Sequence, residues 1–212
     1  MKKVFFLIAV VTLMGSTASA QSDGSDSREK LQLGVKAGAN LSNVYDSEGE
    51  DFNADPKFGF AVGAFVSIPV GKFIGVQPEI LFSQKGYQRT GAVLGSDYKF
   101  THTSSYIDVP ILLQVKPSEM ITLLAGPQYS YLLKEKNVFS NEFVSGQDEQ
   151  NYENENVRKN TLGFVGGVDI NLNQLVLGVR AAWDLQDNNG DGTSEIPRYK
   201  NVLYQATVGF KF

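Results

Sequence analysis

The chain has 212 residues, among them 21 Gly, 14 Phe and 9 Tyr but no Cys, and its formal net charge is −4 at pH 7. The acidic balance excludes the basic footprint of a nucleic-acid-binding protein, and the lack of Cys excludes disulfides and thiolate metal sites. The length suits a single domain.

The first twenty residues have the three parts of a secretory signal peptide. Lys2 and Lys3 form a positive start, residues 4–14 form an apolar run, and small residues lead to a cleavage site after Ala20. The apolar run is shorter than the roughly 20 residues that a membrane-spanning helix needs. We therefore expect a signal peptide at residues 1–20, a periplasmic linker at 21–30 and one barrel domain at 31–212.

Apolar and polar residues then alternate along eight segments. These cover residues 31–41, 58–68, 73–87, 98–116, 121–133, 161–172, 175–185 and 204–212. Because side chains alternate between the faces of a strand, each segment predicts a ribbon with one apolar face. Only helices and closed barrels satisfy their backbone in lipid. The pattern predicts an all-β fold: an eight-stranded antiparallel up-and-down transmembrane β-barrel in the bacterial outer membrane.

The connections between the ribbons alternate in length. Tight turns at residues 69–72, 117–120 and 173–174 alternate with longer connections at 42–57, 88–97, 134–160 and 186–200. Short periplasmic turns and long external loops are typical of outer-membrane barrels. A soluble lipocalin-like barrel would also alternate along its strands, but it has no reason to separate its turns by length. The acidic composition of residues 134–160 predicts a mobile external loop, where an extracellular ligand would bind.

Charged residues occupy the predicted inward faces of the ribbons. They are Lys36, Lys85, Lys116, Arg180 and Lys211, together with Glu79, Asp108, Asp169 and Asp184. The lumen of an eight-stranded barrel is just wide enough for side chains, and buried charges have to be paired. We predict that an ion-pair network plugs the lumen. A narrow porin-like channel for small solutes or ions is the alternative.

His102 is the single histidine, and Ser104 stands two residues after it. A serine hydrolase needs such a base beside its nucleophile. However, both residues share the inward parity of Asp108, whereas a lipid substrate lies outside the barrel. We expect no catalysis, so a lipid hydrolase is the least favoured alternative.

Residues 187–192 are similar to the start of a calcium-binding loop. The candidate oxygen ligands are Asp187, Asn189, Asp191 and Glu195. The twelfth position of such a loop needs a bidentate Glu, and Arg198 stands there instead. The sequence thus indicates a weak calcium site at most, with a solvated turn as the simpler interpretation. We expect no metal and no cofactor.

The final ribbon ends on Phe212. Tyr204, Phe210 and Phe212 lie on its apolar face. This ending is similar to the signal that barrel-insertion machinery reads. We expect the chain to be a monomer whose partners are that machinery and the outer-membrane lipid.

Several segments resemble the PorT-like outer-membrane β-barrel family. They read GVKAGANLS from Gly34, GFAVGAFVSIPV from Gly59, GVQPEILFSQKGY from Gly75, YIDVPILLQVKP from Tyr106, GPQYSYLL from Gly126 and TVGFKF from Thr207. The resemblance implies a small outer-membrane barrel, some of whose relatives are linked to secretion or gliding. It implies no catalytic residues, which favours a structural or surface-binding role.

Overall fold

A computed structural model describes residues 26–46, 54–93, 96–141, 145–150, 157–189 and 199–212. These residues form a short 3-10 helix, Ser27–Glu29, and nine strands. The strands are β1 (Gln32–Asp46), β2 (Asp55–Pro69), β3 (Ile74–Val93), β4 (Ser96–Val115), β5 (Ile121–Asn141), β6 (Ser145–Gln150), β7 (Asn160–Leu172), β8 (Leu175–Asp184) and β9 (Tyr199–Lys211). Within these ranges no helix has the length and hydrophobicity to cross a membrane. The predicted signal peptide and its cleavage site lie outside the described residues.

Eight of the strands close into a ring. Each pairs in antiparallel fashion with its neighbour, β5 pairs directly with β7, and β1 pairs with β9 to close the ring. The short strand β6 lies outside the ring and pairs with the upper part of β5. The predicted eight-stranded antiparallel up-and-down barrel is therefore confirmed. Its short turns define the periplasmic end.

Burial alternates along the strands. On β8, Val176 and Arg180 are buried, whereas Leu177 and Val179 are exposed. The same period of two places exposed apolar side chains around the outside of the ring and polar ones in the lumen. An apolar exterior is what a strand needs in a lipid bilayer, so the predicted faces are the observed ones.

The strands continue further toward the external end than the sequence predicts. β3 runs to Val93, β4 begins at Ser96, and β5 continues to Asn141. The sequence predicts loops at residues 88–97 and 134–160. Residues 88–93, 96–97, 134–141 and 145–150 lie in strands instead, so the loop prediction is wrong for them. Apolar alternation stops at the ends that the sequence predicted for the ribbons. Backbone pairing between neighbouring strands does not need apolar side chains, and it goes on.

The segment before β1 lies across the periplasmic end, and we call residues 26–31 the N-terminal strap. Lys116 Nζ donates to the carbonyl oxygen of Arg28 at 3.2 Å, and Asp26 lies 3.1 Å from Lys72 Nζ. The Arg28 guanidinium stands 5.2 Å from the centre of the Phe73 ring. Its hydrogen bonds to Asp26 hold the pKa of that carboxyl well below its usual range. These contacts tie the strap to two periplasmic turns.

Candidate functional site: the barrel lumen and its two ends

Four charges form a compact inner charge cluster in the lumen. Arg180 donates to both carboxylate oxygens of Asp169, with Nη1–Oδ1 and Nη2–Oδ2 distances of 2.5 and 3.1 Å. Its Nη2 also lies 3.5 Å from Glu79 Oε1, and Lys36 pairs with the other oxygen of Glu79. All four residues are buried. Two positive and two negative groups compensate one another, and the bidentate geometry is the strong form of such a pair.

An outer charge cluster lies toward the external end. Lys85 Nζ stands 3.1 Å from Asp108 Oδ1, and the hydroxyl of Ser130 donates to the same oxygen at 2.6 Å. The nearby carboxylate of Asp184 accepts a hydrogen bond of 2.6 Å from Asn201 Nδ2. One ammonium is therefore close to two carboxylates, and each carboxylate also accepts a hydrogen bond from a polar side chain.

Apolar side chains separate these two groups. The apolar cluster consists of Leu112, Leu124, Val165, Ala182 and Leu203, and Leu112 has no exposed surface. A cavity of only about 10 Å³ remains here, bordered by residues of both charge clusters. A water molecule needs roughly 10–15 Å³, so this part of the lumen is closed.

The apolar cluster was not predicted from the sequence. Leu112 and Leu124 stand in the same parity as the inward residues Gln114 and Thr122. Their inward parity could have predicted an apolar cluster in the lumen. The predicted plug is thus two ion clusters with an apolar layer between them.

A larger cavity opens at the periplasmic end, and we call it the periplasmic cavity. It measures about 180 Å³, and the N-terminal strap forms part of its wall. Lys116 and Lys211 both line it. Lys211 Nζ donates to Asn171 Oδ1 at 2.6 Å, and Lys116 Nζ reaches the Ser67 hydroxyl at 3.4 Å. Within the described residues neither ammonium forms an ion pair, so no salt bridge joins these two predicted members of the network to its carboxylates.

His102 and Ser104 meet near the external end of the lumen. Ser104 Oγ lies 2.9 Å from His102 Nε2, and His102 Nδ1 lies 2.6 Å from Asn137 Oδ1. An amide oxygen accepts only, so Nδ1 is the donor toward Asn137. The Glu135 carboxylate lies 3.6 Å from Nε2 and 3.5 Å from Ser104 Oγ. Ser104, His102 and Asn137 thus form a hydrogen-bonded chain in the order of a nucleophile, its base and an orienting group. Asn137 comes from β5, and its role was not predicted.

Aromatic rings cover this cluster. The Tyr87 ring stacks on His102 with centroids 5.1 Å apart, and the Tyr199 ring meets the imidazole edge-on at 6.5 Å. His102 and Ser104 are both buried beneath these rings. A hydrolase needs room for a carbonyl beside its nucleophile. The packing therefore favours a structural hydrogen-bond network.

The candidate calcium turn is only partly described. Asp187 Oδ1 lies 3.8 Å from Lys200 Nζ, and Asn189 forms a backbone bridge with Val157. Asp191 and Glu195 lie outside the described residues. Among the residues that are described, no group of three or more His, Asp and Glu side chains is arranged to hold a metal ion.

The terminal aromatic residues face outward. Tyr204, Phe210 and Phe212 are all exposed, and the rings of the last two stand 5.5 Å apart. They lie on the outward face of the barrel, as the alternation of β9 requires.

Comparison with known proteins gives one family. The model of the family described as "Outer membrane protein beta-barrel domain" matches residues 19–189. No curated protein sequence matches the chain.

Three of the solved structures that are similar to this chain are the following. Ail, the attachment invasion locus protein of Yersinia pestis, is 16% identical over 85% of this chain and 98% of its own, with a TM-score of 0.46. Neisserial surface protein A is 13% identical over 87% and 100%, with a TM-score of 0.49. OprG from Pseudomonas aeruginosa is 14% identical over 87% and 97%, with a TM-score of 0.40. These likenesses concern the barrel and not the role of the chain.

Proposed function

The chain belongs to the family of outer membrane protein β-barrel domains, and we propose that it is a non-catalytic barrel with a structural or surface-binding role at its external end. The proposal includes a monomeric state, contact with outer-membrane lipid and an extracellular ligand. The finer assignment to a PorT-like group rests on the sequence segments quoted above and forms part of the same proposal.

The closed lumen is the observation that carries this proposal. Arg180 and Asp169 form a buried bidentate ion pair, and the apolar cluster around Leu112 leaves a cavity of only about 10 Å³. A conducting pore needs a continuous polar path, whereas this lumen is packed like a core. The arrangement therefore speaks against a narrow channel.

The external end supports the surface role. β3, β4, β5 and β6 pair with one another well beyond the closed ring, up to the Val93–Ser96 and Ser140–Ser145 pairs. The rings of Tyr98 and Phe139 stack there at 5.9 Å, and Phe139 is exposed. A rigid sheet that carries exposed aromatic and charged residues offers a preformed contact surface. We call this four-stranded part the external sheet.

Conductance in planar bilayers tests the closed lumen. The purified barrel should show no steady single-channel current at any applied voltage, while a known porin in the same bilayer conducts. Regular, voltage-independent conductance steps from the purified chain would favour the channel instead.

Removal of the external hairpin tests the surface role. Residues 134–158 are replaced with a short Gly-Ser turn between Leu133 and Lys159. The barrel should still fold, because the entropy of loop closure changes slowly with length, but it should lose ligand binding and fail to rescue a deletion strain. A matched control replaces the periplasmic turn residues 117–119 with Gly-Ser. Full rescue by the hairpin-free barrel would contradict the proposal.

A further inference from the structure

Two lysines line the periplasmic cavity, and the surrounding residues compensate their positive charge only in small part. Lys116 and Lys211 both point into it, and their hydrogen-bond partners are a carbonyl, a hydroxyl and an amide oxygen, which are all neutral. Lys116 is only 5% exposed. Burial lowers the pKa of this lysine, and the negative charge of Asp26 offsets that effect only in part. Buried ammonium groups normally stand beside a carboxylate.

The nearby acidic groups supply only part of that compensation. Asp26 is engaged by Arg28 at 2.5 Å and by Lys72 at 3.1 Å. Glu119 lines the outer edge of the cavity but is exposed to solvent. Among the described residues, the excess of positive over negative lumen charge is therefore concentrated at this end.

The two lysines also keep donors available. Each ammonium has three N–H donors. Lys116 uses two of them, on Arg28 and Ser67, and Lys211 uses one, on Asn171. The three others have no partner among the described residues. Acceptors with several oxygens are the groups that such a set of donors binds.

We propose that the periplasmic cavity binds a phosphate-type oxyanion between Lys116 and Lys211. The volume of about 180 Å³ accommodates such an anion, since one water molecule occupies about 30 Å³ in the liquid. Two periplasmic sources share this chemistry: free phosphate and the headgroup of a phospholipid in the inner leaflet. The site is independent of the surface role proposed for the external end.

Titration of the purified full-length barrel with inorganic phosphate tests the site. In a non-ionic detergent free of phosphate, we expect saturable binding by calorimetry and a rise in thermal stability. Chloride at matched ionic strength is the reference and should produce neither effect. The absence of saturable phosphate binding by the parent chain would overturn the proposal.

Two single variants locate the anion. Lys116→Met and Lys211→Met should each weaken phosphate binding about tenfold or more, since each removes a charge-assisted contact. Lys99→Met, which removes the same charge from an exposed position near the external end, is the matched control and should bind like the parent. Lys211→Gln, with a shorter polar side chain, keeps the test valid if a Met variant fails to fold. Unchanged binding in the folded Lys116 and Lys211 variants would overturn the assignment.

The source of the anion follows from a comparison of nanodiscs. Barrels in phosphatidylglycerol nanodiscs and in nanodiscs of an uncharged, phosphate-free glycolipid are titrated with phosphate. If phosphate binds more weakly in phosphatidylglycerol than in the phosphate-free lipid, and if Lys116→Met abolishes this difference, a lipid headgroup competes for the site. Equal affinity in both would identify free phosphate as the ligand.

Discussion

The hydroxyl of Ser42 on β1 makes hydrogen bonds to both backbone groups of Gly86 on β3. It accepts from the Gly86 N–H at 2.8 Å and donates to the Gly86 carbonyl at 2.9 Å. Between these strands lies β2, whose pairing with β3 shifts between Pro56 and Ala61. Gly86 has a φ of +150°, which residues with a side chain rarely adopt. A side chain thus replaces the missing ladder bonds at this interruption.

We expect Ser42→Ala to destabilise the barrel by about 1–3 kcal/mol, because both backbone groups of Gly86 would be left buried and unsatisfied. Urea unfolding in lipid, followed by the fluorescence of the single tryptophan, Trp183, measures the loss. Ser140→Ala at an exposed position of β5 is the control. Equal stability of the two variants would mean that water replaces the Ser42 hydroxyl.

The pair of Arg180 and Asp169 should behave as a coupled unit. Arg180→Met alone should cost about 3–5 kcal/mol, because it leaves buried carboxylates without their partner. Combining it with Asp169→Leu should cost clearly less than the sum of the single changes. Urea unfolding of the four proteins in this cycle provides the coupling energy. Strict additivity would show that water fills this part of the lumen.

Neighbouring leucines offer a matched test of the apolar cluster. Leu112 is completely buried in the lumen, whereas Leu113 is 52% exposed on the outside. Leu112→Ala should cost about 2–5 kcal/mol because it opens a cavity. Leu113→Ala should cost less, since lipid replaces the lost contacts. A larger loss at Leu113, measured by the same unfolding assay, would reverse our assignment of the two faces.

The outward end of β9 should be needed for insertion. Phe210→Asp places a charge on the lipid-facing surface, where the cost is up to about 2–4 kcal/mol at mid-membrane and smaller near the interface. We expect less heat-modifiable, membrane-embedded protein from this variant and from deletion of Phe212. Val70→Asp, in an exposed periplasmic turn, is the control. Normal insertion of both β9 variants would argue against an insertion signal in this strand.

His102 separates the structural interpretation from catalysis. We expect His102→Ala to leave the lipid composition of the cell unchanged and to lower stability by about 1–3 kcal/mol, because Asn137 and Ser104 lose their buried partner. Mass spectrometry of the membrane lipids and urea unfolding measure the two effects. A lipid change that appears in both His102→Ala and Ser104→Ala would instead indicate a hydrolase.

Much of the architecture was determined by the sequence by itself. The period of two along each ribbon assigned Leu177 and Val179 to the outside and Arg180 to the lumen, and the structure agrees. Alternating short and long connections indicated the closed antiparallel ring. These inferences succeed because side-chain alternation is a local property of an extended backbone.

Only the tertiary structure decided which inward residues meet. Lys36 pairs with Glu79, while Lys116 and Lys211 form no ion pair with a described carboxylate. Asn137 reaches His102 because polar residues beyond the apolar part of β5 continue to pair with β4. The alternation of apolar and polar residues predicts that a side chain points inward. Its neighbours across the lumen depend on strand register and on the tilt of the closed ring, which the whole chain sets together.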